Sequence, residues 1–515
     1  MRPVYFAYLS VLFLFIIAIG YYFPFTVDDA YIAYRYAEKF FTTGSLVFND
    51  GEAINALTSP LHVFLLSVFR LFTIHIVWVN KVVSLLCLLG AVFMIWKQFE
   101  SKSRLQILVL VFNLLSAPIL LWTFGGIETI YLLLVITAIV IGVWRLTDGE
   151  RQLKRLTGIF FLMGIAFLFR YDSAIFLFPV ALYLWIRSNK RDFLIAATVG
   201  ALLPVFWLSV SYIYYGDLLP TSFYTKTPGI TFEELYYNFI YIFYFSIYIL
   251  TIPAVIVFLV YPASLSAKLK VWIAHFRNRW WLYAGLLLTA GYGLTMATKH
   301  MMFSFRFFAP YIPVTSLLLL DLLDKISEIG SADQKARVWR SRLLFTCIVA
   351  GWLFQAFHLF YTYNYSVNGL ARVGEYRQLN MIRYQAFIDI LAQQAAEIRE
   401  HWQTKATAEH RPPRIHTYAG GVAAYRYMDA YIYDMLIAYR HKDKLADFEK
   451  CKLSADYILL VTPVHGSLKK QLPAREKAFQ QISSHRLDFN GVEAVFWVFY
   501  NPDPSAHTLG RTIND

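Results

Sequence analysis

Asp28 and Asp29 stand side by side in Thr26-Val-Asp-Asp-Ala-Tyr-Ile-Ala-Tyr-Arg-Tyr-Ala37, directly after an apolar stretch at residues 4–25. Two carboxylates at the edge of a membrane-length segment are costly to desolvate, and acids in such places mark function by default. One aspartate capping the helix that follows would account for one acid. It leaves the second unexplained, together with Tyr31, Tyr34, Arg35 and Tyr36 on the same short helix. The pair therefore reads as catalytic, with Tyr31 and Arg35 as neighbours able to orient a substrate.

Four further clusters interrupt apolar sequence. Phe124-Gly-Gly-Ile-Glu-Thr129 carries Glu128, either a first-turn acid stabilised by its helix dipole or a substrate contact. Phe169-Arg-Tyr-Asp-Ser173 carries Arg170 and Asp172, which either neutralise each other or bind substrate. Tyr215-Gly-Asp-Leu-Leu-Pro-Thr-Ser-Phe-Tyr-Thr-Lys226 is polar and aromatic, with Asp217 and Tyr224 among its side chains. Lys226 is the kind of point charge that holds a phosphate. Lys299-His-Met-Met-Phe-Ser-Phe-Arg-Phe-Phe308 adds Lys299 and Arg306. Arg306 either snorkels to lipid headgroups or joins Lys226 and Lys299 in clamping the phosphate of a lipid donor.

The elements that must position these residues are membrane helices. Of 515 residues, 58% are hydrophobic and 16% charged, with a mean hydropathy of +0.48; long apolar runs at that composition mean a polytopic helical protein. Eleven stretches are candidate spans: 4–25, 78–97, 105–123, 128–146, 156–170, 174–187, 193–215, 236–262, 280–298, 306–323 and 342–361. Leu61–His75 is apolar but short, and fits a helix lying along the membrane face. Thr58-Ser-Pro60 reads as its start, with Ser59 as N-cap and Pro60 at the first helical position. With the N-terminus inside, the inner loops up to residue 362 hold 20 basic residues and the outer ones 8, a strong positive-inside signal. The net charge of +13 is thereby assigned to membrane orientation rather than to nucleic acid.

Two domains follow: a membrane part at 1–362, whose outer loop 26–77 carries surface helices, and a polar part at 363–515. The second has a helical stretch near Leu379–Trp402 and strand-like runs at Arg414–Tyr418, Tyr457–Val461 and Val492–Tyr500, which suggest a small α/β domain on the outer side. Cys87, Cys347 and Cys451 are far apart and form neither a disulfide framework nor a metal-ligand spacing. Every chemistry-bearing cluster falls on the outer face, and no Gly-rich phosphate loop follows a strand. An enzyme working there has no access to nucleotide-activated substrates, so its donor must be lipid-borne.

These motifs resemble the GT-C glycosyltransferases, and within them the terminal arabinofuranosyltransferases of actinobacterial cell walls and their proteobacterial relatives. The resemblance runs through Asp28-Asp-Ala-Tyr-Ile-Ala-Tyr-Arg-Tyr-Ala37, Gly44, Leu46-Val-Phe-Asn49, Gly51-Glu52, Thr58-Ser-Pro60, Gly125-Gly-Ile-Glu-Thr129, Arg170-Tyr-Asp172, Tyr215-Gly-Asp-Leu-Leu-Pro220 and Arg306-Phe-Phe308, in order. Ala419-Gly-Gly-Val-Ala-Ala424 and Asp434 match the family's outer domain more loosely. Met435-Leu436 stand where the family usually has Gly-Leu, and His62 where it has an aromatic. The resemblance implies a bacterial inner-membrane enzyme of about 11 spans, with a cytoplasmic N-terminus and a periplasmic C-terminal domain. It implies a polyprenyl-phosphate sugar donor, with arabinofuranose as the sugar, and Asp28 as the catalytic acid supported by Asp29.

The acceptor is then a glycan, a lipid-linked saccharide or a pilin-type protein. Arg306, Lys226, Arg170 and Lys299 would serve the phosphate. Tyr31, Arg35, Glu128, Asp172, Asp217 and Tyr224 would serve the sugars. No cofactor is required, since paired cations can neutralise the phosphate; a divalent cation between Asp28 and Asp29 is the open alternative. The rival functions are a transporter or flippase for a lipid-linked sugar, an outer-face glycan polymerase or ligase, and a carbohydrate-binding membrane protein. A transporter places its polar groups near the bilayer midplane, whereas here they sit at the outer rim.

Overall fold

A computed structural model describes residues 3–73, 75–100, 102–146, 152–225, 231–246, 264–295, 303–329, 381–405, 411–417, 420–434, 455–463, 479–489 and 492–502. Lys226 and Lys299, and the expected span at 342–361, lie outside them, as do the side chain of Tyr224 and the cysteines Cys347 and Cys451. The chain divides into two compact units: Met1–Pro24 with Lys81–Trp207 and Gly229–Arg377, and Phe25–Asn80 with Leu208–Pro228 and Gln378–Asp515. Phe25–Asn80 belongs to the same unit as Gln378–Asp515.

The first unit is helical. It contains α1 (Pro3–Tyr22) and, past the second unit's α2 (Asp28–Thr43) and α3 (Pro60–Arg70), most of α4 (Ile76–Trp96). Then come α5 (Ser103–Leu114), α6 (Ala117–Phe124), α7 (Thr129–Trp144), α8 (Gln152–Phe169), α9 (Ser173–Arg187) and most of α10 (Lys190–Tyr215). Past the second unit's α11 (Thr221–Thr225), α12 (Phe232–Ser246), α13 (Leu265–Thr295) and α14 (Ile312–Glu328) complete its described helices.

Among the described residues three helices are long and apolar enough to cross a membrane: Tyr5–Tyr22, Ile76–Phe99 and Lys190–Tyr215. The pair Leu105–Leu114 and Ala117–Phe124, bent by 51° at Pro118 and its neighbours, makes a fourth if it is one broken span. Ser116 and Pro118 explain the break, because proline at a first turn starts a helix and cannot continue one. The protein is a membrane protein on this composition. The helices α8 and α10 approach backbone to backbone: a Cβ on Gly164 would overlap the Gly200 carbonyl oxygen, the small-residue contact that membrane helices favour.

The second unit combines α2, α3 and α11 with α15 (Met381–Lys405), α16 (Gly420–Arg426) and a five-stranded sheet. Its strands are β1 (Arg414–Thr417), β2 (Tyr431–Asp434), β3 (Tyr457–Pro463), β4 (Gln480–Phe489) and β5 (Val492–Tyr500), in the order β2-β1-β3-β5-β4. β1 runs parallel to β2 and β3, and β5 antiparallel to β3 and β4. The helix α3 begins at Pro60 as expected, but Ser59, its N-cap, makes no side-chain capping bond.

Residues 49–55 are fastened to this sheet and to α10 and α11 by named polar groups. Asn49 serves Ile432 on the edge strand β2 as a neighbouring strand would, with Nδ2 donating to its carbonyl at 2.9 Å and Oδ1 accepting its N–H at 3.0 Å. The Tyr431 hydroxyl donates to Glu52. Thr221 N–H donates to the Asn55 carbonyl at 2.7 Å, and Asn55 Nδ2 to Ser211 Oγ at 2.8 Å. Buried main-chain groups demand such partners, and these supply them across long stretches of sequence.

Candidate active site

Val27, extended at φ −82° and ψ 148°, occupies the N-cap of α2, and no side chain caps the helix. Asp28 is the first helical residue. Its carboxylate reaches away from its own helix: Oδ1 accepts the Val422 N–H at 2.9 Å, and the Asp28 N–H donates to the Tyr384 hydroxyl at 3.1 Å. The capping explanation of Asp28 therefore fails on geometry. Asp29 is half-buried beside it.

The partner of Asp28 is the first turn of α16. There Gly420 N–H donates to Asp434 Oδ2 at 2.7 Å. A Cβ on Gly420 would overlap that same oxygen, and a Cβ on Gly421 would overlap the Asp28 carbonyl oxygen and stand 3.0 Å from its Oδ1. Only glycine lets both carboxylates approach this closely. Burial pushes the Asp28 carboxyl up to about 7, and the charges of Asp29 and Asp434 add to it against the stabilising Val422 N–H. A group that gains and loses its proton near neutrality is suited to general acid–base work.

Tyr31 packs edge-on against Tyr34, centroids 5.7 Å apart, and both lean on Tyr425 at 5.7 and 5.8 Å. Tyr34 accepts from Asn80 Nδ2 at 2.9 Å. Arg35 is held by main-chain carbonyls. It is fully buried, and its guanidinium donates to the carbonyls of Phe48 at 2.6 Å, Ala424 at 2.5 Å and Ala430 at 2.8 Å. Burial lowers its affinity for its proton to about 10, so it stays charged at neutral pH. It ties α2 to Phe48 and to α16 and the turn after it. Lys39 and Arg70 are likewise occupied, by Asp50 at 2.6 Å and Glu38 at 2.8 Å. Asp217 shows its carbonyl accepting Ser211 Oγ at 2.7 Å, with a half-buried residue otherwise.

The first unit holds a separate polar cluster. Arg170 forms a two-pronged pair with Asp172, Nε to Oδ1 at 3.1 Å and Nη2 to Oδ2 at 2.6 Å, with Glu128 Oε1 3.9 Å from Nε. Asp172 and Glu128 are the N-caps of α9 and α7, yet neither makes a side-chain capping bond. Their carboxylates face the guanidinium instead. The remaining nitrogen, Nη1, is buried without a hydrogen-bond partner among the described residues. So are the hydroxyls of Thr129, Ser173 and Ser304. Buried donors left unmade cost free energy and mark a place where a ligand would complete the set.

Arg306 follows Ser304 and Phe305, both left-handed at φ 48° and 54°. Non-glycine residues in that region carry about 1–3 kcal/mol of strain each, a feature concentrated at functional sites. The fully buried Trp122 holds the turn, its Nε1 donating to the Ser304 carbonyl at 3.0 Å, and the Arg306 guanidinium stands 5.6 Å from the Trp122 ring. The structure thus places Arg170, Glu128 and Asp172 together, with Arg306 on an adjoining strained turn of the same unit. Among the described residues no group of three or more His, Cys, Asp or Glu is arranged to hold a metal ion.

No family model matches the chain, and no curated protein does. Solved structures do. ArnT from Cupriavidus metallidurans, bound to undecaprenyl phosphate, superposes with a TM-score of 0.52 at 12% identity over 96% of this chain and 97% of its own. The same protein in the apo state gives 0.52 and 12%, over 95% and 98%. The fold is the one seen in these two structures. At this identity the likeness concerns the fold alone, and it spans nearly all of both chains.

Asp434 reached the sequence reading only through the looser part of the resemblance. Tyr384 did not reach it at all, because a lone tyrosine at a helix start carries no local signal.

Proposed function

We propose that the protein is a glycosyltransferase that moves a sugar from a polyprenyl-phosphate donor to an acceptor hydroxyl on the outer side of a bacterial inner membrane. The observation that carries this reading is the Asp28 carboxyl, oriented by a backbone N–H and poised to exchange its proton near pH 7. The GT-C fold shared with a protein seen holding undecaprenyl phosphate supports the donor class, as does a buried guanidinium with an unpartnered nitrogen.

Asp28 accepts the proton of the acceptor hydroxyl. The acceptor oxygen bonds to the anomeric carbon, and the carbon–oxygen bond to phosphate breaks with its electron pair passing to the phosphate. By the sequence motifs Arg306 and Lys226, with Arg170 in reserve, serve that charge, as fixed cations do in a water-poor site. Asp29, Tyr31 and Glu128 orient sugar hydroxyls. Positioning supplies about 7–11 kcal/mol of such a barrier, and a general base about 10²–10⁴-fold in rate. No metal is required in this scheme. Single displacement inverts the anomeric centre; retention would give Asp28 a different role. Arabinofuranose as the sugar, and a glycan, lipid-linked saccharide or pilin-type acceptor, follow from the motif resemblance.

The test incubates purified protein in detergent with synthetic polyprenyl-phosphate sugars, arabinofuranose among them, and follows release of polyprenyl phosphate with formation of a glycoside. Release with transfer of one sugar supports the reading. Transfer of whole oligosaccharides would make it a polymerase or ligase. Movement of intact donor across vesicles without release would make it a flippase.

A further inference from the structure

Asp434 has no part in the scheme above, yet it is the other carboxylate held by the turn that holds Asp28. It lies at the end of β2, a strand whose outer edge is closed by Asn49. It is 3% exposed. Its Oδ2 takes the Gly420 N–H at 2.7 Å, while two residues on Val422 gives its N–H to Asp28 Oδ1 at 2.9 Å. Gly420 and Gly421 have no Cβ because one would strike Asp434 and the other Asp28.

Three consecutive residues are therefore clamped by two carboxylates, one from α2 and one from β2. The contact between α2 and α16 leaves little freedom, since Arg35 from α2 also binds the Ala424 carbonyl at the far side of the same short helix. Tyr384 at the start of α15 holds the Asp28 main chain from another side. Asp28 is thus fixed at its N–H by Tyr384 and at its carboxylate by Val422. Val422 is fixed in turn by the anchor on Gly420.

We infer that Asp434 is a positioning residue for the transfer reaction: by anchoring the Gly420 N–H it sets the direction of the Val422 N–H and hence of the Asp28 carboxylate. It acts through the turn and touches no substrate. The inference rests on the glycosyltransferase reading for its effect on turnover, and on the structure alone for its effect on Asp28. Sites of this kind are sensitive to their supporting residues, and a misplacement of about 1 Å lowers rate by about 10²-fold.

The experiment compares wild type, Asp434→Ala, Asp434→Asn and Gly420→Ala as full-length, monodisperse protein in detergent. Two readouts are taken: kcat and KM for the lipid-phosphate donor, and the rate at which dicyclohexylcarbodiimide labels Asp28, read by peptide mass spectrometry. Asp434→Ala is expected to lose about 10²-fold in kcat per folded molecule with donor KM unchanged, and to label faster at Asp28. Asp434→Asn keeps an oxygen to accept the Gly420 N–H and is expected to recover most of both.

Should Asp434→Ala fail to fold, Gly420→Ala decides, since its Cβ displaces the same oxygen; it should reproduce the kcat loss. Unchanged kcat and labelling in Asp434→Ala, or in Gly420→Ala where Asp434→Ala does not fold, would overturn the inference. So would an Asp434→Asn variant as impaired as the alanine. If wild type turns over no donor, the transferase reading fails by itself, and the labelling rates still decide the role of Asp434.

Discussion

The two units treat charge in opposite ways. In the second, the cations of α2 and α3 are engaged with scaffold: Arg35 with four carbonyls, Lys39 with Asp50, Arg70 with Glu38. Its acid, Asp28, is left with a raised proton affinity. In the first, the acids are engaged: Asp172 and Glu128 both face Arg170, whose Nη1 keeps an unmade hydrogen bond. One unit thus presents a base and the other an unfilled cation. Each unit uses its opposite charges to hold one group in place.

The sharpest way to break this comparison is to disturb the base without changing any charge. Gly421→Ala puts a methyl against the Asp28 carbonyl and is expected to lower kcat by about 10²-fold, with donor KM preserved; stopped donor-release assays measure it. On the cation side, Arg170→Ala and Arg306→Ala should raise donor KM with a smaller effect on kcat. A charge-assisted hydrogen bond contributes about 1.5–3 kcal/mol, so the rise for Arg170 is about tenfold or more. An unchanged KM would make either residue a headgroup anchor.

The smallest expected effect is on pH. Asp28 must be ionised to take a proton, so turnover should climb as pH rises through about 7 and be lost below it. Asp29→Asn removes a like charge that favours the protonated form. The acid limb of its kcat profile should move to lower pH. The same carboxyl affects stability with the opposite sign: its folded-state affinity is above the ordinary value of 3.8, so its contribution is greatest in acid and declines as pH rises toward about 7.

Much of this was legible in the sequence, for physical reasons. Charged groups that interrupt apolar runs stand out against their surroundings, as Asp28, Glu128, Arg170, Asp172 and Arg306 do. Helices also stand where most of the apolar stretches were, from Pro3–Tyr22 to Ile312–Glu328. β5 and β3 were plain from β-branched and aromatic runs. β2, at four residues, and β4, a polar edge strand reading Gln-Gln-Ile-Ser-Ser-His-Arg-Leu-Asp-Phe, were not. An edge strand with two partly wet faces has little reason to alternate.

What stayed hidden was long-range. Val422 lies 394 positions from Asp28, and no local pattern encodes that bond. Arg35 stands among acids and tyrosines in the sequence; only the structure shows the carbonyls of Phe48, Ala424, Tyr427 and Ala430 closing around it. The same distances explain the unit boundary. Composition changes where the polar part begins, while Arg35, Asn49 and Glu52 join the outer loop to residues 424–432.

The most direct measurement is single-turnover release of polyprenyl phosphate by Asp28→Asn, beside wild type, in protein shown to be folded and inserted. The account predicts a loss of about 10²–10⁴-fold with donor still bound at the wild-type KM. Wild-type turnover in that variant would contradict it.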